Sequence, residues 1–109
     1  MPEPQPPASL LVGAIVRQVQ AAGGFATILA RGSAHGAALL VVTRAGADVR
    51  AYEKVPSLSG APDWREAASG ESPVADFLAR QQRFDPDLWA IELDIANPAR
   101  FIPGLPPGC

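Results

Sequence analysis

Residues 80–98 read RQQRFDPDLWAIELDIANP. Arginines, four acidic residues, a tryptophan and two prolines crowd into this stretch. Its reading decides between a catalytic cluster and a helix that ends where a strand begins. Arg80 and Arg83 suit the last turns of a helix, where positive charge offsets the dipole. Pro86 disfavours helical backbone at Asp85, so the helix stops there. Asp85 can instead cap one short 3₁₀ turn that begins at Pro86. From Leu88 onward the period is two: Trp89, Ile91, Leu93 and Ile95 point one way, and Leu88, Ala90, Glu92 and Asp94 the other. The stretch is a junction, and ANP closes its strand.

Working upstream, Ser72 and Pro73 make a helix start, a capping hydroxyl followed by proline at the first helical position. Val74, Phe77, Leu78 and Phe84 then share one face, and Asp76 and Arg80 are spaced to pair for ~0.2–0.5 kcal/mol. Near the other end, Ser9 can cap a helix from Leu10 to Ala22 whose broad apolar face holds Leu11, Val12, Ile15, Val16, Val19 and Ala22. Gly13 weakens that helix by up to ~1 kcal/mol relative to alanine. Gly23 and Gly24 supply its stop.

Three strands follow in the middle of the chain. Phe25 to Arg31 and Ala37 to Arg44 read as strands joined by GSAHG, which fits a hairpin loop. ALLVV is apolar on both faces, placing the second strand centrally in a sheet covered on each side. AGA turns the chain into Asp48 to Val55, where Val49, Ala51 and Val55 alternate with Arg50, Tyr52 and Lys54 as in a half-exposed strand. SLSGAPD is a loop, and WREAA a short fourth strand or edge. The expected fold is α+β: a mainly antiparallel sheet of four to five strands with two helices packed on it, in the order α-β-β-β-(β)-α-β. With 109 residues there is room for one core. Prolines crowd both ends, so we expect a disordered Pro-rich N-terminus over 1–8, a single α+β domain over 9–102 and a disordered Pro/Gly-rich tail over 103–109.

Composition narrows the function classes. A formal charge of −2 offers no general attraction to phosphate backbones, so nucleic acid is unlikely as a partner. Cys109 is the single cysteine and His35 the single histidine, which argues against a zinc site and against an intramolecular disulfide. No cofactor and no metal is expected. The start of the chain lacks the positive region of a signal peptide. LLVGAIV is stopped by Arg17, far short of the ~20 residues of a membrane span. We expect a cytoplasmic protein that does not enter a membrane.

Some residue groups could carry chemistry. Glu92 and Asp94 project from one face of their strand, a spacing that suits general acid/base work, with Arg83 or Arg44 as the accompanying cation, or the holding of a divalent cation, for which the sequence supplies no third ligand. Against this, a strand face wetted by acids with Arg44 or Arg50 alongside is the commoner arrangement. Ser33 and His35 in RGSAHG invite a nucleophile-and-base reading, but no orienting acid accompanies them. Gly32 and Gly36 bracket that loop and could expose backbone N–H groups to an anion, helped by Arg31, although phosphate loops run into a helix and this one runs into a strand. Arg50 and Tyr52 with Lys54 form a basic-aromatic patch of the kind seen on readers of single-stranded nucleic acid. Trp64 and Trp89 read as anchors of the core or its rim.

Taken together, AAGGFATILARG, LLVV, YE and RQQRFDPDLWAIELD resemble a bacterial family, domain-of-unknown-function family 1491. The resemblance runs from about Leu10 to Ile102 and is most specific at FDPDLWAIELD. It implies a small cytoplasmic protein with no assigned activity, so no catalytic residue carries over. The family pattern places an acid near the RGS loop, where Ser33 and His35 stand here, which further discourages an essential role for His35. The leading expectation is a non-enzymatic binding or protein-interaction module that self-associates as a homodimer or binds another protein. The alternatives are a small hydrolase or transferase using the Glu92/Asp94 pair with an arginine, and a nucleic-acid accessory factor.

Overall fold

The computed structural model describes residues 7–34, 36, 38–55 and 63–106. The elements are α1 (Ala8–Ala21), β1 (Phe25–Ala30), β2 (Leu39–Ala45), β3 (Asp48–Val55), β4 (Asp63–Ser69), α2 (Glu71–Phe84), β5 (Trp89–Asp94) and a 3₁₀ turn at Pro98–Arg100. The α+β class and element order are as expected. The sheet order is β1-β5-β2-β3-β4, with β5 parallel to β2 and every other pair antiparallel.

This order corrects one expectation. β1 and β2 are not a hairpin, because β5 lies between them. The cause is burial. Leu88, Trp89, Ala90 and Ile91 are all nearly inaccessible, and a strand apolar on both faces belongs in the middle of a sheet. The same property puts β2 centrally, as its sequence implies. Leu39 and Val41 enter the core under α1, while Leu40 and Val42 enter the core under α2. The helices therefore cover opposite faces and give three layers.

Each helix covers only part of its face. Val12, Ile15 and Val19 of α1 pack over β1 and β5, and the C-terminal segment carries Ile102 and Leu105 over Trp64 and Tyr52. Trp64 Nε1 donates to the Pro103 carbonyl at 3.1 Å. Val74 and Phe77 of α2 lie over β3 and β4. Ala8 and Leu105 are both buried, so the packed body runs past 9–102 at each end. Residues 1–6 and 107–109, expected to be disordered, lie outside the described residues, as does the loop segment 56–62.

Helix ends depart from expectation in their capping. Neither helix has a side-chain cap: α1 starts after Pro7 and α2 after Gly70. Ser9 and Ser72 therefore sit inside the first turns instead of capping them, and Pro73 is the third helical residue. Gly70 takes φ 100°, a conformation essentially restricted to glycine. Its N–H reaches the Val49 carbonyl at 2.7 Å and ties the helix start to β3. Gly23 and Gly24 do stop α1, donating to the carbonyls of Gln20 and Val19 as a left-handed C-terminal cap requires. Phe84 does not close the apolar face of α2; it is 85% exposed, since the helix overruns the sheet there. Leu11 also lies at the margin of its helix's buried face.

After α2, Asp85 accepts the Asp87 N–H on its side chain and the Leu88 N–H on its carbonyl. The expected turn at Pro86 is therefore present, as a single β-turn. The genuine 3₁₀ turn comes later, behind Asn97 at φ 54°.

Candidate functional site

On the α2 side, alternation along β2 and β5 brings Arg44 and Glu92 to the same face. Arg44 Nη2 lies 3.2 Å from Glu92 Oε1, and Arg44 Nη1 bonds Glu71 at the start of α2. The Glu71 hydrogen bond, then that of Glu92, raises the Arg44 pKa above its ordinary value. Glu71 is correspondingly held below the usual carboxylate range, chiefly by its hydrogen bond from Arg44. One cation between two carboxylates is a closed arrangement: it clips the start of α2 to two central strands. Asp94 is exposed and paired in register with Phe25. Arg83 stands twelve residues after Glu71 on α2, roughly 18 Å along the axis, so Glu92 and Arg83 occupy opposite ends of that helix. The structure thus joins Glu92 to Arg44; Asp94 follows on the same strand face but makes no ion pair with Arg44, and Arg83 lies at the far end of α2.

The RGSAHG loop lies across the start of β5. Ser33 donates its N–H to the Asp87 carbonyl at 3.2 Å, and its own carbonyl accepts from Trp89 Nε1 at 2.9 Å and from the Gly36 N–H at 3.1 Å. A Cβ on Gly32 or Gly36 would come within 2.1 Å of the Asp87 carbonyl oxygen. Glycine is required there for close backbone approach, and the Ser33 and Gly36 donors are already occupied within the protein. His35 lies outside the described residues.

On β3, Tyr52 is buried in the α1-side core, where the sequence alternation implied half exposure. Burial follows from the C-terminal segment folding over that face. Arg50 is engaged by Asp48 at 3.0 Å and Glu66 at 3.2 Å. The tyrosine ring is thus not presented for stacking.

A feature the sequence reading passed over lies between α1 and β1. There a groove of about 340 Å³ is floored by Val12, Val16, Ile28 and Trp89, with Gly13, Arg17 and Arg31 along its rim. The Arg31 guanidinium carbon sits 5.5 Å from the centroid of the Trp89 ring. The available signal was Gly13, a helix glycine with no structural duty visible in the sequence. A second hollow of about 220 Å³ at the far end of the sheet is lined by Thr43, Arg50, Tyr52 and Asn97 among others. Neither Glu92 nor Asp94 lines either hollow. Among the described residues no cluster of three or more His, Cys, Asp or Glu side chains has the makings of a metal site. Among them, too, no helix is long and apolar enough to cross a membrane.

Residues 7–103 match the family model described as "Protein of unknown function (DUF1491)". A DUF1491 family protein from Caulobacter crescentus CB15, in its crystal structure, is 27% identical with a TM-score of 0.73, over 87% of this chain and 92% of that one. Protein Atu0922 from A. tumefaciens is 26% identical with a TM-score of 0.73, covering 94% of this chain and 98% of that one. An NMR structure of a Caulobacter crescentus DUF1491 protein, 24% identical with a TM-score of 0.75 over 90% of this chain and 93% of that one, shares the fold. No curated protein matches the chain.

Proposed function

The chain belongs to the DUF1491 family, and on that premise we infer that it is a bacterial, cytoplasmic interaction module that self-associates through the β1 edge of its sheet. One observation carries the reading. β1 is a terminal strand, FATILA, with no charged residue, and Phe25 on it is 73% exposed. An uncharged edge with free backbone donors and acceptors is a template for another strand. Phe25 pairs with Asp94 and Thr27 with Glu92, so both face the side where α2 covers β3 and β4 instead. Leu29 adds further exposed apolar surface. From Phe25 to Ile28 the register with β5 is regular; the irregularity comes after Ile28.

A second copy docking edge to edge would pair this strand and cover Phe25. The arrangement around Arg44 supports a structural role for Glu92, so the non-enzymatic reading is preferred to hydrolysis or transfer. Light scattering at micromolar concentration tests the proposal. We expect a dimer for the native chain and a monomer with unchanged circular dichroism for the Phe25→Lys/Thr27→Lys double variant. A strictly monomeric native chain sinks it.

A further inference from the structure

We propose that the groove between α1 and β1 binds a small amphiphile, an apolar body bearing a single anionic headgroup. The floor is apolar, formed by Val12, Val16, Ile28 and the Trp89 ring, and a volume of about 340 Å³ lies within the range of small-molecule sites. Its charge is one-signed. Arg17 and Arg31 line the groove and no acidic side chain does. Among the described residues neither arginine enters an ion pair, as is also true of Arg80, Arg83 and Arg100, but only Arg17 and Arg31 flank this apolar floor. In a chain of net charge −2, two arginines without acid partners beside an apolar floor mark a place where an anion is complemented and a hydrocarbon buried.

Gly13 is the second, independent observation. Glycine inside a helix is destabilising relative to alanine, and it is usually retained for a positive φ or a close backbone approach. Gly13 has neither. Its φ is not positive, and a Cβ built on it meets only the Arg17 Nη1 atom, at 3.3 Å. What the missing side chain does is keep the groove wall low beneath Arg17. A larger residue would fill the groove and push that guanidinium aside.

The site is separate from the proposed self-association surface: Phe25 and Thr27 face the opposite side of β1. The two ideas therefore fail separately.

The test is calorimetric titration of the full chain with decanoate, decyl phosphate and decanol below their aggregation concentrations, with tryptophan fluorescence followed in parallel. At least one of the two anions should bind saturably and perturb Trp89 emission, and comparing them identifies the preferred headgroup. Decanol, with the same tail and no charge, should bind about tenfold more weakly or worse. Arg17→Gln and Arg31→Gln should each weaken anion binding by a similar factor, and Gly13→Leu should abolish it while circular dichroism shows the fold intact. The Phe25→Lys/Thr27→Lys variant should bind as the native chain does. Equal binding of decanol, no binding of either anion, or indifference to Gly13→Leu overturns the proposal.

Discussion

β1 and β4 are the two edges of one sheet, yet FATILA carries no charge while DWREAAS carries Asp63, Arg65 and Glu66. On the β4 edge every charge but Asp63 is used across the strand pair, Arg65 with Glu53 and Glu66 with Arg50. Charges on an edge are a common defence against unwanted pairing, and β1 has none. The covering helices differ in the same sense. α2 seals its face of β3 and β4, whereas beside β1 the chain leaves Phe25 exposed on one side and a groove on the other. One edge is finished against solvent, and the other is the one we propose for self-association.

The difference can be broken from either half. The largest effect is expected at Gly36, which lets the loop after β1 lie against the start of β5. Gly36→Ala drives a Cβ into the Asp87 backbone oxygen and should cost about 3 kcal/mol in urea denaturation, at the upper end of overpacking effects. Gly70 plays the matching part between β4 and α2. Gly70→Ala should cost about 2 kcal/mol, because alanine is strained at φ 100°, while leaving anion binding at the distant groove unchanged. Equal tolerance of alanine at both positions would erase the distinction between a close-approach and a conformational requirement.

Smaller effects sharpen the comparison. Arg65→Ala removes an exposed cross-strand pair and should change stability by about 0.5 kcal/mol or less, yet it bares the β4 edge. If light scattering then shows higher oligomers, the charges there serve to block pairing more than to stabilise the fold. The smallest effect concerns Glu71. Its carboxyl is lowered by Arg44 in the folded chain, so the unfolded chain binds that proton more readily. The resulting stabilisation is present above the ordinary carboxylate range and lost as pH falls through the lowered folded value. Thermal melts of native chain and Glu71→Gln between about pH 5 and pH 2 should therefore converge at the acid end. Curves that stay parallel would show that the carboxylate contributes nothing there.

Local pattern made much of the architecture legible. The alternation from Leu88 onward assigned Glu92 to the face opposite Ile91 and Leu93, and the register with β2 bears this out. ALLVV placed β2 centrally, and the glycine pair ended α1. The same criterion applied to LWAI would have made β5 a central strand as well. That step was hidden because a short connection after β1 looks like a hairpin loop whether or not a third strand fills the gap. The groove was less legible. Arg17 and Arg31 are fourteen residues apart, and nothing local says that Trp89 closes the floor between them.

The chain's own residues determined which segments are helical or extended, where they stop and which side of each is apolar, since these follow from backbone preference and side-chain spacing within a few residues. Tertiary structure decided the rest: that β5 inserts between β1 and β2, that Tyr52 is covered by the C-terminal segment, and that Arg44 is neutralised while Arg17 and Arg31 are not. Those outcomes depend on which apolar faces meet across long sequence separations. Burial selects among the possible pairings only when the whole core closes.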